Sequence, residues 1–367
     1  MTNLFDYLYW RGDISTRFAA FQELDGAILA RLSYLPFELV LPESPEVPLP
    51  LRDVAAMLLA VPGLEERVTQ PEDLRLLRTV LECERFSHAA LVGFASRRDA
   101  ETQTQFSALT LRLRPDELLV SFRGTDNTLV GWKEDFNMGF VCPVPAQELA
   151  VAYLERIAVQ YPGALRVGGH SKGGNLAVYA AAFCNPAVQE RILSVYNYDG
   201  PGFDETILRR DGYRAVCGRV HTFVPQSSIV GMLLGHEEEY TIVHSERMGL
   251  MQHNIYSWEV EPTGFLQLET VTNSSRFIDH TIKAWIAGMD VQQRERFVDA
   301  VYDIMKKTNA ETLRDLNENR MNSAMSVLRS LKNLDEQTRS DVTHAIGLLL
   351  KSTKIGFTQT RQEKNDV

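Results

Sequence analysis

Ser171 lies in Gly169-His170-Ser171-Lys172-Gly173, straight after Ala164-Leu165-Arg166-Val167-Gly168 and straight before Gly174-Asn175-Leu176-Ala177-Val178-Tyr179-Ala180. A serine in this setting sits on a tight strand-to-helix turn. The glycines two before and two after remove side chains that would collide as the turn closes, and the following helix aims its N-terminal dipole at the hydroxyl. A serine hydroxyl is a weak nucleophile at neutral pH. It needs a histidine base, an acid to orient that base, and donors for the oxyanion of a tetrahedral intermediate.

In the α/β-hydrolase fold these groups follow one another along the chain as serine, acid, histidine, which directs the search downstream of Ser171. Asp199 stands after the apolar run Ile192-Leu193-Ser194-Val195-Tyr196-Asn197-Tyr198, at the strand end where open α/β sheets gather their ligand sites. The same Asp199-Gly200-Pro201-Gly202 is also ordinary turn chemistry, in which the aspartate would cap its own loop. Asp204 and Asp211 lie further into the following loop.

Among the downstream histidines, His221 falls inside a predicted strand, and His280 and His344 fall in helical patterns, where a structural role is the default. His253, in Met251-Gln252-His253-Asn254-Ile255-Tyr256, falls in a predicted loop late enough to return to the serine. It is the favoured base, with His244 the alternative and His236 behind. The oxyanion donors expected are the backbone N–H of Lys172 and a donor from the loop Phe122-Arg123-Gly124-Thr125-Asp126, where Gly124 permits close approach and Thr125 offers its N–H and its hydroxyl. That loop could also be a simple strand-ending turn.

The elements that must position these groups show in the pattern. Residues 1–85 read as a polar-faced helical layer, with Leu24, Ile28, Leu29 and Leu32 at helical spacing and a proline-rich break from Leu41 to Pro50. Short apolar runs follow at Leu91–Phe94, Phe106–Leu113 and Leu118–Phe122, the last two joined by the turn Arg114-Pro115-Asp116-Glu117. A helix from Ala146 to Gln160, the strand before Ser171, a helix from Gly173 to Phe183, the strand ending at Tyr198 and another from Val220 to Val224 alternate as βαβ units. The expectation is an α/β fold with a mainly parallel sheet covered on both faces by helices. Beyond residue 291, Leu313, Leu316, Met321, Ala324, Leu328, Leu331 and Leu334 recur every three to five residues. They form either a helical layer packed on the body or a surface for homo-oligomerisation or a partner. The expected division is 1–290 as the catalytic domain, 291–360 as a helical subdomain and 361–367 as a polar tail.

Composition narrows the partners. The 367 residues are 44% hydrophobic and carry a formal net charge of −10, which argues against nucleic acid and anionic membrane surfaces. The four cysteines form no C-x-x-C pair and suit a reducing cytoplasm. The start of the chain lacks a basic leader, and no segment approaches the roughly 20 apolar residues that span a bilayer. A cytoplasmic protein without stable membrane insertion is expected. Glu237-Glu238-Glu239 reads as a solvated acidic loop, since no spaced histidine partner suggests a metal. No metal or cofactor is expected.

Phe122-Arg123-Gly124-Thr125, then Gly131-Trp132 and Asp135, then Gly169-His170-Ser171-Lys172-Gly173-Gly174 resemble the class 3 lipase pattern. The match to the bacterial Mbeg-like branch of α/β-hydrolases is fuller. It takes in Phe122 to Asp126, Gly131 to Met138 and Gly169 to Ala177, three separated motifs in order, within a likeness spanning most of residues 1–290. The resemblance implies Thr125 as the oxyanion threonine, Ser171 as nucleophile and His253, with a tyrosine three residues on, as base. Two departures stand out. Class 3 lipases place the acid in a D-I-V-P stretch one strand later, where this chain has Ser227-Ser228-Ile229-Val230-Gly231. Asp199-Gly200-Pro201-Gly202-Phe203 instead resembles pancreatic-type lipases. Lys172 replaces the usual apolar residue after the serine, and its ammonium would either meet a substrate carboxylate or point to solvent.

The expectation is a serine hydrolase that cleaves a small acyl ester through an acyl-enzyme. The same triad would serve a thioesterase, peptidase or acyltransferase, and the same fold would serve a non-catalytic binding protein.

Overall fold

The computed structural model describes residues 2–42, 47–99, 101–126, 129–138, 142–271, 277, 281, 284–285, 288–306, 336, 339–340, 342–345 and 347–348. The chain divides into two compact units. The first comprises Met1–Arg98, Phe106–Gly124 and Pro145–Val271, and the second Asp99–Gln105, Thr125–Val144 and Thr272–Val367.

In the first unit, α1 (Leu4–Arg11) starts at a capping box in which the Asn3 side-chain oxygen Oδ1 accepts from Phe5 N–H and the Asp6 side chain accepts from Asn3 N–H. Then come α2 (Glu23–Leu32), β1 (Leu49–Pro50), α3 (Leu51–Leu59) and α4 (Pro71–Glu82), the last opened by a proline whose missing N–H costs nothing there. The expected polar face of α2 is absent: every residue from Leu24 to Leu32 is buried. The two charges within that buried stretch, Asp25 and Arg31, are neutralised inside the fold. Asp25 accepts from Tyr7 Oη at 2.9 Å and from Arg85 Nε and Nη2 at 2.5 Å. Arg31 grips Asp73 through Nε at 3.1 Å and Nη2 at 2.6 and 2.8 Å. Loss of either partner of such a pair would strand a buried charge, a change that costs about 3–5 kcal/mol.

The strands β2 (Ala90–Asp99), β3 (Thr104–Arg114) and β4 (Glu117–Phe122) lead through α5 (Leu129–Asn137, in the second unit) to α6 (Pro145–Gln160), β5 (Ala164–His170), α7 (Lys172–Phe183), α8 (Pro186–Gln189) and β6 (Ile192–Tyr198). The chain continues with α9 (Glu205–Leu208), α10 (Asp211–Cys217), β7 (Val220–Pro225), β8 (Tyr240–Val243), β9 (Val260–Glu261), β10 (Gly264–Phe265) and β11 (Gln267–Leu268). A nine-stranded sheet runs in the order β1-β2-β3-β4-β5-β6-β7-β8-β11. Its centre, β4 to β8, is parallel, while β3 with β4, β1 with β2 and β8 with β11 pair antiparallel. The expected parallel character thus holds at the centre and gives way towards the edges. The tight Arg114–Glu117 turn leaves room for a hairpin but not for a crossover.

Helices cover both faces of this mixed α/β sheet. On one, Phe122 meets Tyr153 of α6 with ring centroids 6.1 Å apart. On the other, Tyr198 Oη donates to Glu23 O at 2.5 Å and Ser121 Oγ to Leu29 O at 3.4 Å, so α2 lies against the centre of the sheet. Parallel register places His170 beside Tyr198. The residues that follow each, Ser171 and Asp199, therefore leave the sheet at the same edge, the carboxyl ends of adjacent strands.

In the second unit, α11 (Val291–Lys306) carries Asp299, which pairs with Lys133 Nζ of α5 at 2.8 Å, and Phe297, set edge-on to Trp285 at 5.5 Å. The leucine repeat from Leu313 to Leu334, the tail 361–367 and His280 lie outside the described residues. Among the described residues no helix is long and apolar enough to cross a membrane.

Candidate active site

The elbow forms because β5 must turn into α7 within one residue. Ser171 takes φ 59°, ψ −135°, a left-handed backbone that costs a non-glycine residue about 1–3 kcal/mol. Two backbone bonds hold it there: Ser171 N–H to Tyr198 O at 2.9 Å and Gly174 N–H to Ser171 O at 2.8 Å. A Cβ on Gly173 would stand 2.1 Å from Phe122 O, so only glycine lets α7 start this close to β4. The side chain of Ser171 is half-buried at the sheet edge.

Asp199 is 1% exposed, also has positive φ (53°), and is fully engaged. Its Oδ2 meets His253 Nδ1 at 2.7 Å, while Oδ1 accepts from Ser228 Oγ at 2.5 Å and Gly231 N–H at 3.1 Å. The capping of the Asp199–Gly202 turn falls instead to Asn197, whose Oδ1 accepts from Gly200 N–H at 2.9 Å, and to Asn175, whose Nδ2 donates to Pro201 O and Gly202 O at 3.1 Å. The aspartate is thereby free of its own turn. Its donors come from the Ser227–Gly231 stretch, which lacks a carboxylate and supplies partners for one.

His253 closes a 3-10 turn, Gly249–His253, and its side chain is 26% exposed. Gln252, next to it, is buried and ties the two loops together. Its Oε1 accepts from Ser227 N–H at 2.7 Å, its Nε2 donates to Arg247 O at 2.5 Å, and its carbonyl accepts from Trp258 Nε1 at 2.7 Å. Among the described residues neither Ser171 Oγ nor His253 Nε2 has a hydrogen-bond partner.

His170 packs on His253 with ring centroids 4.6 Å apart. Its Nε2 faces the His253 carbonyl at 2.7 Å, so that nitrogen carries the proton, and Nδ1 accepts from Tyr34 Oη at 3.0 Å. Burial, then the neighbouring His253 and Arg31, push its pKa well below the ordinary histidine value. The ring is thereby held neutral and places no positive charge against His253. Tyr34 in turn lies under the Arg31 guanidinium at 4.0 Å, and Tyr256 Oη donates to Asp73 at 2.8 Å. The charged pair of the N-terminal helices thus contacts both tyrosines beside the site.

The remaining sequence candidates have other duties. Asp204 caps α9 through Thr206 N–H and Ile207 N–H, and Asp211 starts α10. His221 stacks on Tyr196 at 5.5 Å, and His344 is exposed. His244 Nδ1 approaches Glu259 Oε2 at 2.7 Å as an ion pair without hydrogen-bond alignment. The acidic run is not a solvated loop. Glu238 is 7% exposed and accepts from Tyr213 Oη at 2.5 Å, Thr222 Oγ1 at 2.6 Å and His236 Nδ1 at 3.0 Å. Lys172 is 1% exposed, which removes the solvent-pointing reading of its side chain. The end of β4 approaches the elbow, since a Cβ on Gly124 would lie 2.5 Å from His170 O and 3.1 Å from Ser171 Cβ. Thr125 belongs to the second unit, where its hydroxyl donates to Asp135. Among the described residues no group of three or more His, Cys, Asp or Glu is arranged to hold a metal ion.

Glu238 also carries a pH signature. Burial works against its ionised form, and the His236, Thr222 and Tyr213 donors outweigh that cost and hold its pKa down to about 2, against an ordinary 4.5. A folded-state pKa below the unfolded one contributes stability that is complete above pH 4.5 and is lost as the pH falls through about 2. In urea titrations between those limits, Glu238→Gln is expected to lose less stability with acid than the wild type does. Equal losses would remove the assignment.

Fold and site together define a mixed α/β protein with a serine elbow and an Asp-His pair at one sheet edge. Residues 80–303, more than half of the chain, match the Mbeg1-like family model, and the chain belongs to that family. No curated protein matches it in sequence. Similar solved structures include the native Rhizomucor miehei lipase propeptide complex, at 19% identity and TM-score 0.33 over 43% of this chain. The chain spans 57% of that protein's length. Others are a mutant form of MDLA from Penicillium cyclopium, at 14% identity and TM-score 0.37 over 72% of this chain and 91% of the other, and M37 lipase, at 15% and 0.37 over 58% and 70%.

Proposed function

We propose that the protein is a serine hydrolase of the α/β-hydrolase type that cleaves carboxylic esters. The observation that carries this reading is the 2.7 Å contact between His253 Nδ1 and the fully buried Asp199, at the sheet edge where Ser171 leaves β5 in a left-handed turn. A carboxylate on Nδ1 keeps the proton there and leaves Nε2 basic. In ligand-free enzymes the contact between nucleophile and base is commonly loose and tightens when substrate binds.

In this mechanism His253 Nε2 takes the Ser171 proton as Oγ attacks the acyl carbon. The carbonyl oxygen becomes an oxyanion held by the Lys172 N–H at the start of α7. The imidazolium then protonates the leaving alcohol. Water, deprotonated by the same histidine, releases the acid from the acyl-enzyme. Ser228 and Gly231 supply donors to the Asp199 oxygen that His253 does not use.

The test is covalent. A fluorophosphonate probe should label the folded wild type on the peptide that contains Ser171, and a panel of chromogenic esters, thioesters and anilides should show turnover fastest on esters. Folded protein that takes no label and turns over nothing would overturn the proposal in favour of a binding protein with this fold.

A further inference from the structure

A second histidine–carboxylate pair lies outside the machinery just described, one peptide away from Asp199. His236 Nε2 meets Gly231 O at 2.8 Å and His236 Nδ1 meets Glu238 Oε1 at 3.0 Å. A carbonyl oxygen and a carboxylate oxygen only accept hydrogen bonds. Both ring nitrogens are satisfied only when both carry protons, so these contacts define an imidazolium. Its counter-charge is built in, because Glu238 already receives donors from Thr222 of β7 and Tyr213 of α10 and is 7% exposed.

Gly231 connects this pair to the acid. Its carbonyl receives the His236 proton, while its N–H, in the preceding peptide group, donates to Asp199 Oδ1 at 3.1 Å and to Ser228 Oγ at 3.0 Å. A shift of that residue would disturb the bonds on both sides. The titratable groups facing the pair are Glu238 on its own loop, Tyr213 from α10, Tyr240 from β8 at a ring distance of 6.5 Å, and Cys217 of α10 within the field of Glu238.

We propose that His236, held as an imidazolium by Glu238, is a positioning residue for Asp199: by holding the Gly231 carbonyl it fixes the residue whose N–H orients the carboxylate towards His253. The inference rests on Asp199 being the acid partner of His253. It accounts for how the acid can stand after β6: the Ser227–Gly231 stretch after β7, which has no carboxylate of its own, is clamped so that it donates to one across the sheet edge. A glutamine at 236 can place its amide nitrogen near the position of Nε2, and an asparagine reaches only the position of Nδ1. The two substitutions lose the same charge and differ in whether Gly231 keeps its donor.

The experiment follows the low-field Nδ1 proton of His253, identified by its loss in Asp199→Asn, in protein isotope-labelled at the imidazole nitrogens. In the wild type both nitrogens of His236 should carry protons, as their two acceptors require, and a ring with one bare nitrogen overturns the proposal with no variant needed. His236→Asn should shift the His253 resonance, lower kcat by at least about tenfold with KM unchanged, and displace the acidic limb of the pH profile. His236→Gln should restore all three. An unmoved resonance in folded His236→Asn, or equal losses in the two variants, overturns the role of His236. Should the wild type neither label nor turn over ester, the serine-hydrolase reading falls, while the resonance still decides whether His236 positions Asp199.

Discussion

Ser171→Ala is expected to abolish fluorophosphonate labelling and to cut kcat on a chromogenic ester by roughly a million-fold, leaving only what binding and oxyanion donors supply. The fold should survive. Alanine meets the same left-handed backbone constraint as serine, and the bonds that hold residue 171, to Tyr198 O and from Gly174 N–H, are made by its backbone. Stability measured by urea should therefore lie within about 0.5 kcal/mol of the wild type, apart from any contribution of the hydroxyl. Retained turnover in folded Ser171→Ala would move the chemistry to another residue.

Asp199→Asn should be nearly as severe, with kcat lower by about 10⁴-fold, and for a reason the geometry makes explicit. Ser228 Oγ and Gly231 N–H both donate to Oδ1, so the asparagine must keep its carbonyl oxygen there and turn its NH₂ towards His253. An N–H donor facing Nδ1 forces the proton onto Nε2, and a histidine in that tautomer cannot accept the serine proton. Asparagine tolerates the positive φ at this position, so loss of fold does not confuse the measurement. His253→Ala should fall equally far, whereas His244→Ala, whose ring approaches Glu259, should keep kcat. An inactive His244→Ala beside an active His253→Ala would exchange the base.

What was legible in the sequence was local. The elbow needs a small residue at 173 because the next strand lies one hydrogen-bond spacing away, and that need is written into five consecutive residues. Asp199 follows the run that becomes β6, and proximity to Ser171 comes from parallel pairing of neighbouring strands. The class of the acid's environment was not legible. The alternative of a turn aspartate was reasonable until Asn197 and Asn175 proved to hold that turn. Gln252, Tyr34 and Ser228 carry no sequence signal of their own, because a single amide or hydroxyl gains its meaning only from what lies opposite.

Charge was the hardest feature to read. Asp25 and Arg31 belong to the stretch that reads as a polar-faced helical layer, and Glu238 to the run that reads as a solvated acidic loop. Each is buried against an opposite charge contributed from elsewhere in the chain: Arg85 sixty residues on from Asp25, Asp73 forty-two on from Arg31, and for Glu238 the nearby His236 with Tyr213 and Thr222. The sequence by itself determined the tight turn at Ser171 and the order in which Ser171, Asp199 and His253 follow along the chain, since these depend on backbone conformation and on the alternation of strands and helices. Only the tertiary structure decided which aspartate faces which histidine, that a neutral His170 lies against His253, and that the Ser227–Gly231 stretch, which has no carboxylate, donates to Asp199. Those choices depend on pairwise desolvation between distant residues, which chain order does not encode.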